Sequence, residues 1–423
     1  MNAVLRVEGL AVRFGDALRP LPVIDGVSFA VGQGETVCLV GESGSGKTLT
    51  AMSVLRLERR QRAQITSGSV RFAGGDLATL SEPQLEALRG RGIGMIFQEP
   101  MTAFDPLFTI GEQIVETMLR HLPLTRAQAT ARTLQLLERV QIPDPALRMS
   151  QIPDQLSGGM RQRAMIAMAL ACDPELLIAD EPTTALDVTI QAQILTLLKD
   201  LQRERGMAIL LITHDLGVAA QMADRVVVMY AGRVVEQASA SALFASPQHP
   251  YTIGLLRSAV HGDTARGSLL PAIPGTIPRL DALPTGCRFH PRCGAARDRC
   301  REQEPALRGV AGHDVACFHP GLEEGERVSV TAARTEPRRA QILVEARGLR
   351  KWYDHRRSWF APATRVNALD DVSLEIREGE TFGLVGESGC GKSTLGRALL
   401  QLDPAQRGDV YFEGRPARDL SRV

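Results

Sequence analysis

Short apolar runs alternate with amphipathic segments along the first 260 residues. The apolar runs have the length of buried strands and cover Thr36–Val40, Gly92–Phe97, Glu175–Ala179, Met207–Thr213 and Arg225–Tyr230. Segments with apolar residues at helical spacing cover Lys47–Leu57, Thr125–Val140, Gly158–Ala171 and Thr189–Glu204. Because strand patterns alternate with helix patterns, we predict an α/β fold with a mostly parallel sheet wrapped by helices.

Two copies of one glycine-rich loop follow such apolar runs, the second after Thr381–Val385. The first copy comprises Gly41, Glu42, Ser43, Gly44, Ser45, Gly46, Lys47 and Thr48. The matching positions of the second copy include Gly386, Gly389, Gly391, Lys392, Ser393 and Thr394. Both copies fit G-x-x-x-x-G-K-[ST], in which backbone amides at a helix N-terminus surround phosphate oxygens. The lysine neutralises the outer phosphates and the hydroxyl of Thr48 or Ser393 holds Mg²⁺, so we predict nucleotide binding.

Composition narrows the class of protein further. The chain has 423 residues, which predicts two to three domains, and 44% hydrophobic with 23% charged residues is typical of soluble globular proteins. A formal net charge of +1 gives no electrostatic basis for a nucleic-acid partner. The sequence shows neither a signal peptide nor an apolar run of roughly 18 residues. We therefore expect a cytoplasmic protein that reaches a membrane only through a partner.

Changes in composition predict four segments. The first unit spans residues 1–260, and residues 261–320 are rich in proline and then in cysteine. Residues 321–340 are charged and poor in large apolar groups, as in a flexible linker. Residues 341–423 repeat the start of the first unit and then stop. We expect this second copy to be truncated and poorly ordered alone, because a parallel sheet cut after its first strand cannot bury its faces.

Five further motifs follow the first glycine-rich loop. They are Gln98 after an apolar strand, Leu156-Ser157-Gly158-Gly159-Met160, the run Leu176 to Asp180-Glu181, Ala185-Leu186-Asp187 and Thr213-His214-Asp215. In this order they resemble the ATP-binding subunits of ATP-binding-cassette (ABC) proteins, above all the oligopeptide/dipeptide importer family with tandem cassettes. The resemblance covers essentially the whole chain. It implies a P-loop NTPase cassette (a RecA-like parallel core with antiparallel β and helical subdomains), a cysteine-rich C-terminal extension and a partial second cassette.

The acidic pair at the end of an apolar strand carries the predicted hydrolysis. Asp180 would hold Mg²⁺ through water, and Glu181 would act as general base toward the attacking water. By resemblance, Gln98 reaches metal or water and His214 bonds the γ-phosphate and positions Glu181. The resemblance also implies that Ser157, Gly158 and Gly159 contact ATP held by an opposing cassette. Phe14 and Tyr353 lie where the family stacks an aromatic ring on adenine, and packing in a core is the alternative.

Four cysteines in the extension raise the question of a metal centre. They are Cys287, Cys293, Cys300 and Cys317, and they lack the tight C-x₂₋₄-C pairs that zinc favours. Soft thiolate ligands suit an iron–sulfur cluster, and the resemblance to some peptide-importer ATPases implies a [4Fe–4S] cluster. Zinc, with His290, His313 or His319 as a further ligand, and packing without metal both stay open.

These predictions converge on an ATPase that energises an inner-membrane importer of peptide-like solutes. ATP and Mg²⁺ are the expected cofactors, and the expected partners are membrane permease subunits, an external solute-binding protein and a second cassette in a homodimer or heterodimer. Residues Met101 to Phe108 are the expected permease contact, by resemblance. The alternatives are a soluble ABC ATPase in translation or repair, and a binding-only remnant, because residues 1–423 contain no complete composite site. The sequence does not name the solute.

Overall fold

The computed structural model describes residues 3–15, 21–184, 186–258, 271–321, 341–355, 364–387 and 389–420. These residues form two compact units, the first containing nearly all described residues up to 321 and the second those from 341 onward. The predicted domain boundary at residue 260 and the predicted linker 321–340, except for Gly321, lie outside the described residues.

Strands and helices of the first unit occupy most of the positions predicted from the hydrophobic pattern. Its strands are β1 (Ala3–Phe14), β2 (Leu21–Gly32), β3 (Thr36–Val40), β4 (Ala63–Phe72), β5 (Gly75–Asp76), β6 (Ile93–Ile96), β7 (Leu176–Asp180), β8 (Ala208–Ile212), β9 (Arg225–Tyr230), β10 (Arg233–Ser239), β11 (Arg308–Val310) and β12 (His313–Val315). Its helices are α1 (Lys47–Val54), α2 (Glu82–Leu88), α3 (Ile110–His121), α4 (Arg126–Arg139), α5 (Pro145–Met149), α6 (Gly158–Ala169), α7 (Val188–Arg205), α8 (Leu216–Met222), α9 (Ala240–Ala245), α10 (Pro250–Ser258) and α11 (Asp298–Glu302).

An eight-stranded mixed sheet forms the centre of the first unit, in the order β11-β12-β10-β9-β3-β8-β7-β6. The five strands from β9 to β6 are parallel, as the sequence predicts, whereas β10, β12 and β11 are antiparallel. Every residue of β3, β7 and β8 is buried, because a central parallel strand is covered on both faces. Along β3, Cys38 and Val40 pack into one core and Val37 and Leu39 into the other.

A second, antiparallel sheet of order β2-β1-β4-β5 packs beside the parallel one. The pairing of β1 with β2 and β4 contains several register shifts, and such irregularities bend a strand pair and increase its twist. The apolar residues of this sheet share a core with Val37 and Leu39 of β3. The sheet is thereby fixed to the strand that leads directly into the first glycine-rich loop.

The cysteine-bearing segment is attached to the central sheet rather than separate from it. Its strand β12 pairs antiparallel with β10 through Glu236–Val315 and Gln237–Asp314, and β11 pairs with β12. The backbone amide of Ala316 donates to the carbonyl of Val235 and extends this pairing. Residues 308–316 therefore complete the edge of the sheet that β10 begins.

The second unit reproduces the start of the first but differs in one strand. It contains β13 (Ile342–His355), β14 (Thr364–Arg377), α12 (Lys392–Leu399), β15 (Arg407–Phe412) and β16 (Arg415–Pro416), with sheet order β14-β13-β15-β16. The strand predicted at Thr381–Val385 is wrong, since these residues form no strand. Val385 is 89% exposed, whereas its counterpart Val40 is 1% exposed. The reason is that β3 is hydrogen-bonded between β8 and β9, and no described residues of the second unit supply equivalent neighbours.

No helix within the described part of the chain is long and apolar enough to span a bilayer.

Candidate nucleotide-binding site

The first glycine-rich loop connects β3 to α1 and closes around its own lysine. Gly41 has φ +147°, and a Cβ there would lie 2.2 Å from the carbonyl oxygen of Met229, so only glycine fits this close approach. Lys47 is buried, and its Nζ donates to the carbonyl oxygens of Gly41 and Glu42 at 2.8 and 2.9 Å. Burial lowers the pKa of Lys47, and the nearby carboxylates of Glu181, Asp180 and Glu42 oppose that shift. The ammonium is thus held at the mouth of a helix N-terminus, where phosphate binds.

Thr48 and Asp180 meet beside this lysine. The Thr48 hydroxyl donates to Oδ1 of Asp180 at 3.2 Å, and Asp180 is 1% exposed at the end of β7. Burial raises the pKa of Asp180 to about 6, and the charge of Glu181 adds to the shift while Thr48 opposes it. A hydroxyl and a carboxylate are oxygen ligands of the kind that Mg²⁺ prefers. These two predicted metal residues therefore lie together.

Glu181 is the centre of a hydrogen-bond cluster that joins the three predicted catalytic residues. Gln98 Nε2 donates to Oε2 at 3.0 Å, and His214 Nδ1 lies 2.9 Å from Oε1. Thr184, which the sequence analysis missed, donates its hydroxyl to Oε2 at 3.0 Å. Burial opposes ionisation of Glu181, but the hydrogen bonds from His214 and Thr184 prevail and lower its pKa. Glu181 is therefore a carboxylate at neutral pH.

The backbone of Glu181 is unusual. Its φ is +47°, in the left-handed region that non-glycine residues rarely occupy. The amide of Glu181 donates to the carbonyl oxygen of Ile212 at 2.9 Å, which fixes this conformation against the neighbouring strand β8. Backbone strain of this kind is concentrated at functional sites. The carboxylate of this residue contacts Gln98 and His214.

Helix α6, which begins within the Leu156-Ser157-Gly158-Gly159-Met160 motif, starts at the surface. Ser157 caps it by accepting from the amide of Met160 at 3.3 Å. Ser157 and Gly158 are exposed, and a Cβ on Gly158 would meet nothing within 4 Å. One turn further, Gln162 donates to the carbonyl oxygen of Pro182 at 2.7 Å and ties α6 to the turn after Glu181. The start of the helix is therefore open to solvent, while its body is fixed to the acidic pair.

The two predicted adenine-stacking residues differ in their surroundings. Phe14 is partly buried and packs against the core of the antiparallel sheet. Tyr353, in the second unit, is 43% exposed and donates its hydroxyl to Oδ2 of Asp403 at 2.7 Å. Stacking on adenine stays a prediction for both.

The second glycine-rich loop reproduces the lysine contacts of the first without its carboxylates. Lys392 Nζ donates to the carbonyl oxygens of Gly386 and Glu387, both at 2.6 Å. Ser393 is exposed, and no described residue of the second unit takes the place of Asp180 or Glu181. Among the described residues, only the first loop therefore has an acidic pair beside it, the pair predicted to carry hydrolysis.

The four cysteines of the extension line one pocket together with three histidines. The lining includes Cys287, Cys293, Cys300, Cys317, His249, His290 and His319. Burial raises the pKa of Cys287 to about 11 and that of Cys293 to about 12, and the other cysteines add to both shifts. Of the three histidines predicted as further zinc ligands, His290 and His319 line this pocket and His313 does not. The Nδ1 of His313 instead lies 2.8 Å from a carboxylate oxygen of Glu236. Within the described residues, no three His, Cys, Asp or Glu side chains stand close enough to share one metal ion.

Sequence reasoning missed a second set of contacts to the first loop, made by Tyr251 near the end of the first unit and by Arg292 in the extension. The hydroxyl of Tyr251 accepts from the amide of Glu42 at 2.8 Å. Arg292 forms an ion pair with the carboxylate of Glu42, a residue 250 positions earlier. The stretch around Tyr251 is visible in the sequence as a run of polar and aromatic residues, but nothing in it indicates a partner. The arginine between two cysteines carries no sequence signal for this contact.

Comparison with known proteins gives two family matches. Residues 24–184 and 369–422 match the ABC transporter family, and residues 235–300 match the oligopeptide/dipeptide transporter C-terminal region. The oligopeptide transport ATP-binding protein OppD of Mycobacterium tuberculosis is 44% identical over 99% of this chain and 70% of its own length. A putative peptide import ATP-binding protein of Brucella ovis is 50% identical over 73% of this chain and 95% of its own length. The oligopeptide transport ATP-binding protein AppD of Bacillus subtilis is 48% identical over 75% of this chain and 97% of its own length.

Solved structures show the same fold. The post-hydrolysis dimer of the ATP-binding cassette MJ0796, bound to ADP and Pi, matches with a TM-score of 0.52 and 27% identity. The match covers 56% of this chain and 98% of that one. The mixed sheet and the glycine-rich loop between β3 and α1 are thus those of a P-loop cassette, a class of ATPase that uses ATP and Mg²⁺. The chain belongs to the ABC transporter ATP-binding family, in the branch that carries the oligopeptide/dipeptide transporter C-terminal region.

Proposed function

We propose that the chain is the ATP-hydrolysing subunit of a membrane importer for peptides or peptide-like solutes. The observation that carries the proposal is the pairing of two features in one chain. The first is the site around Glu181, and the second is the oligopeptide/dipeptide transporter region that follows it at residues 235–300. Relatives bearing peptide-transport names, which are 44–50% identical, support the same solute class.

The first loop would bind the ATP phosphates, with each predicted residue in a distinct role. Lys47 faces the outer phosphates, and Thr48 with Asp180 would hold Mg²⁺, which supplies charge neutralisation on the phosphate oxygens. Glu181, ionised and hydrogen-bonded by His214, would accept a proton from the attacking water. Gln98 would bridge this base to the metal or the water. The three hydrogen bonds on Glu181 fix its carboxylate before substrate arrives.

The complete site would require a second cassette. The start of α6, at the exposed Ser157 and Gly158 and the half-buried Gly159, would cover ATP bound to a facing first loop. Pairing through two first units gives a homodimer, and pairing with another full cassette gives a heterodimer. The dimeric state of the structurally similar cassette supports such pairing. The second unit would then be a partial second cassette, and its described residues include a second phosphate loop.

The surface after Gln98 is the proposed permease contact. Met101, Leu107 and Phe108 are 41, 82 and 54% exposed, and large apolar side chains at this exposure mark an interaction site. Association through this surface would hold the ATPase at the cytoplasmic face of the membrane without a span of its own. An external solute-binding protein would then deliver solute to the permease.

Uptake in the source cells tests the proposal. Deleting the gene should abolish uptake of at least one class of labelled di- to pentapeptides, and the wild-type gene should restore it. The variant Glu181→Gln should not restore uptake, whereas Glu175→Gln, at the other end of β7, should. Unchanged uptake of every peptide class, with the protein sedimenting on ribosomes or DNA, would instead support a soluble ATPase of translation or repair.

The cysteine pocket is the proposed site of a [4Fe–4S] cluster. Its donors are thiols, which as thiolates suit iron–sulfur clusters as well as zinc and Cu(I), and Cys287, Cys293, Cys300 and Cys317 all line the same pocket. Zinc fits less well, because no three described ligands stand close enough to share a single ion. A four-iron cluster is larger than one ion and holds its thiolates farther apart. The raised pKa of Cys287 and Cys293 means that binding would have to displace thiol protons.

Anaerobic purification from the source cells tests this assignment. The protein should show the broad visible absorption of an iron–sulfur cluster and about four iron atoms per chain, the number in the proposed cluster. Cys293→Ser should lose most of that iron, whereas Cys172→Ser, a buried cysteine outside the pocket, should retain it. Iron-free protein with free thiols would favour simple packing, and one zinc per chain would favour the zinc alternative.

A further inference from the structure

The segment that carries the cysteines also contacts the phosphate loop of the first unit through an ion pair. Arg292 lies in the 3₁₀ turn His290–Arg292, directly before Cys293. Its Nη1 and Nη2 donate to Oε2 and Oε1 of Glu42 at 2.6 and 2.9 Å. This is a bidentate pair, in which both the position and the orientation of the carboxylate are specified.

The guanidinium itself is immobilised. The Arg292 side chain is 5% exposed, and its Nε donates to the carbonyl oxygen of Pro274 at 2.7 Å. It also lies over the ring of Tyr230, with 5.7 Å from Cζ to the centroid. Hydrogen bonding to Glu42 raises the pKa of Arg292 further, against the effect of burial. The pair therefore differs from an exposed ion pair such as Arg279–Asp281, which is expected to contribute little.

Tyr251 holds the backbone of the same loop residue. Its hydroxyl accepts from the amide of Glu42 at 2.8 Å, and its ring is fully buried. The ring packs against Tyr230 at 4.8 Å and against Phe289 at 5.4 Å between centroids. Phe289 belongs to the cysteine-bearing segment, so the segment that carries Arg292 also packs against the ring of Tyr251.

Glu42 is consequently fixed at three points. Tyr251 holds its amide, Arg292 holds its carboxylate, and its carbonyl oxygen accepts from Lys47 Nζ at 2.9 Å. The second loop provides a contrast, because Lys392 makes the same contact to the carbonyl of Glu387. The Glu387 side chain is exposed, and no described residue forms an ion pair with it. The contacts of Arg292 and Tyr251 to Glu42 are thus specific to the first loop and are not a general feature of the loop motif.

We propose that Arg292 and Tyr251 are positioning residues for nucleotide binding. They hold Glu42, and through its carbonyl the ammonium of Lys47, in the arrangement that accepts phosphate. The inference rests on the proposed ATP site in the first loop and is independent of any metal at the cysteines. It makes the C-terminal extension a part of the nucleotide site, although the extension contributes no residue that touches the phosphates.

Calorimetric titration with Mg·ATP and Mg·ADP tests the proposal in the full chain carrying Lys392→Met, which leaves only the first loop to bind. Arg292→Gln and Tyr251→Phe should each weaken binding about tenfold, within the usual range of coupling between sites. The affinity of Arg292→Lys should lie between that of the parent and that of Arg292→Gln, because an ammonium cannot form the bidentate contact of a guanidinium. Arg292→Gln combined with Glu42→Gln should be no worse than either change alone, as expected for partners in one interaction.

Arg279→Gln is the matched control, since it removes an exposed ion pair from the same segment and should leave the affinity unchanged. A purely structural role would lower the melting temperature but leave the affinity of the folded protein intact. Unchanged affinity in Arg292→Gln and Tyr251→Phe, or additive losses in the double variant, would overturn this inference while the proposed function stands. If the parent chain with an intact first loop binds neither nucleotide, the proposed function itself fails.

Discussion

Glu181→Gln is expected to reduce ATP hydrolysis at least about 100-fold, the effect of losing a general base. The amide keeps the size of the side chain and can still bond Gln98 and Thr184, but it cannot accept the proton of water. Nucleotide binding should persist, because the phosphate contacts of Lys47 do not involve this carboxylate directly. ATP should therefore accumulate in the paired state, detectable as a dimer by light scattering with Mg·ATP present.

The control for this prediction is Glu175→Gln, an exposed glutamate just before β7. It should hydrolyse ATP at the parent rate and show no persistent dimer. If Glu181→Gln binds ATP and stays monomeric, the homodimer version of the composite site is contradicted, and a separate partner cassette is required. Full hydrolysis by Glu181→Gln would remove this residue from the role of base.

Lys47→Met is expected to weaken Mg·ATP binding at the first loop by roughly ten- to a hundredfold, the loss of a charged hydrogen bond. Methionine retains the apolar stem but removes the ammonium. The negative charges of Asp180 and Glu181, which act on Lys47 in the parent protein, are then no longer opposed by its ammonium. Hydrolysis should fall by at least the same factor, as measured by phosphate release at subsaturating ATP.

Two lysine variants separate the possible explanations. Lys199→Met removes an exposed ammonium that bonds the carbonyl of Gln221, and it should have no effect. Lys392→Met should remove binding at the second loop yet spare hydrolysis in a protein of residues 1–423, because Asp180 and Glu181 serve the first loop. If hydrolysis depended on Lys392 and not on Lys47, the assignment of the hydrolytic site to the first unit would be wrong.

The sequence pattern predicted the central strands because strands that are buried on both faces appear in the sequence as short, continuous apolar runs. The apolar runs that predict β3, β7 and β8 correspond to strands whose residues are all buried. Two helix starts were also predicted to within one residue, because the segments predicted to begin at Thr125 and Gly158 correspond to helices that begin at Arg126 and Gly158. The phosphate loop is local, so its glycines and lysine could be read from eight adjacent residues.

Contacts between segments that are distant in the chain could not be predicted from local sequence patterns. Gln98, Glu181 and His214 follow the ends of three different strands, and the parallel order of β6, β7 and β8 brings Gln98 and His214 to the carboxylate of Glu181. The Arg292–Glu42 pair depends on the extension folding back onto the first loop, across 250 residues. Thr184 belongs to the cluster because the chain turns directly after Glu181, so that the amide of Thr184 bonds the Glu181 carbonyl and its hydroxyl bonds the Glu181 carboxylate.

By itself the sequence determined the motifs, the alternation of strand and helix, and the family resemblance, because each depends on residues that are near one another in the chain. Tertiary structure decided which of two similar apolar runs became a strand. Thr36–Val40 is buried between β8 and β9, whereas Thr381–Val385 stays exposed and forms no strand. A strand is completed by hydrogen bonds to its neighbours, so the same local pattern gives different structures where those neighbours differ.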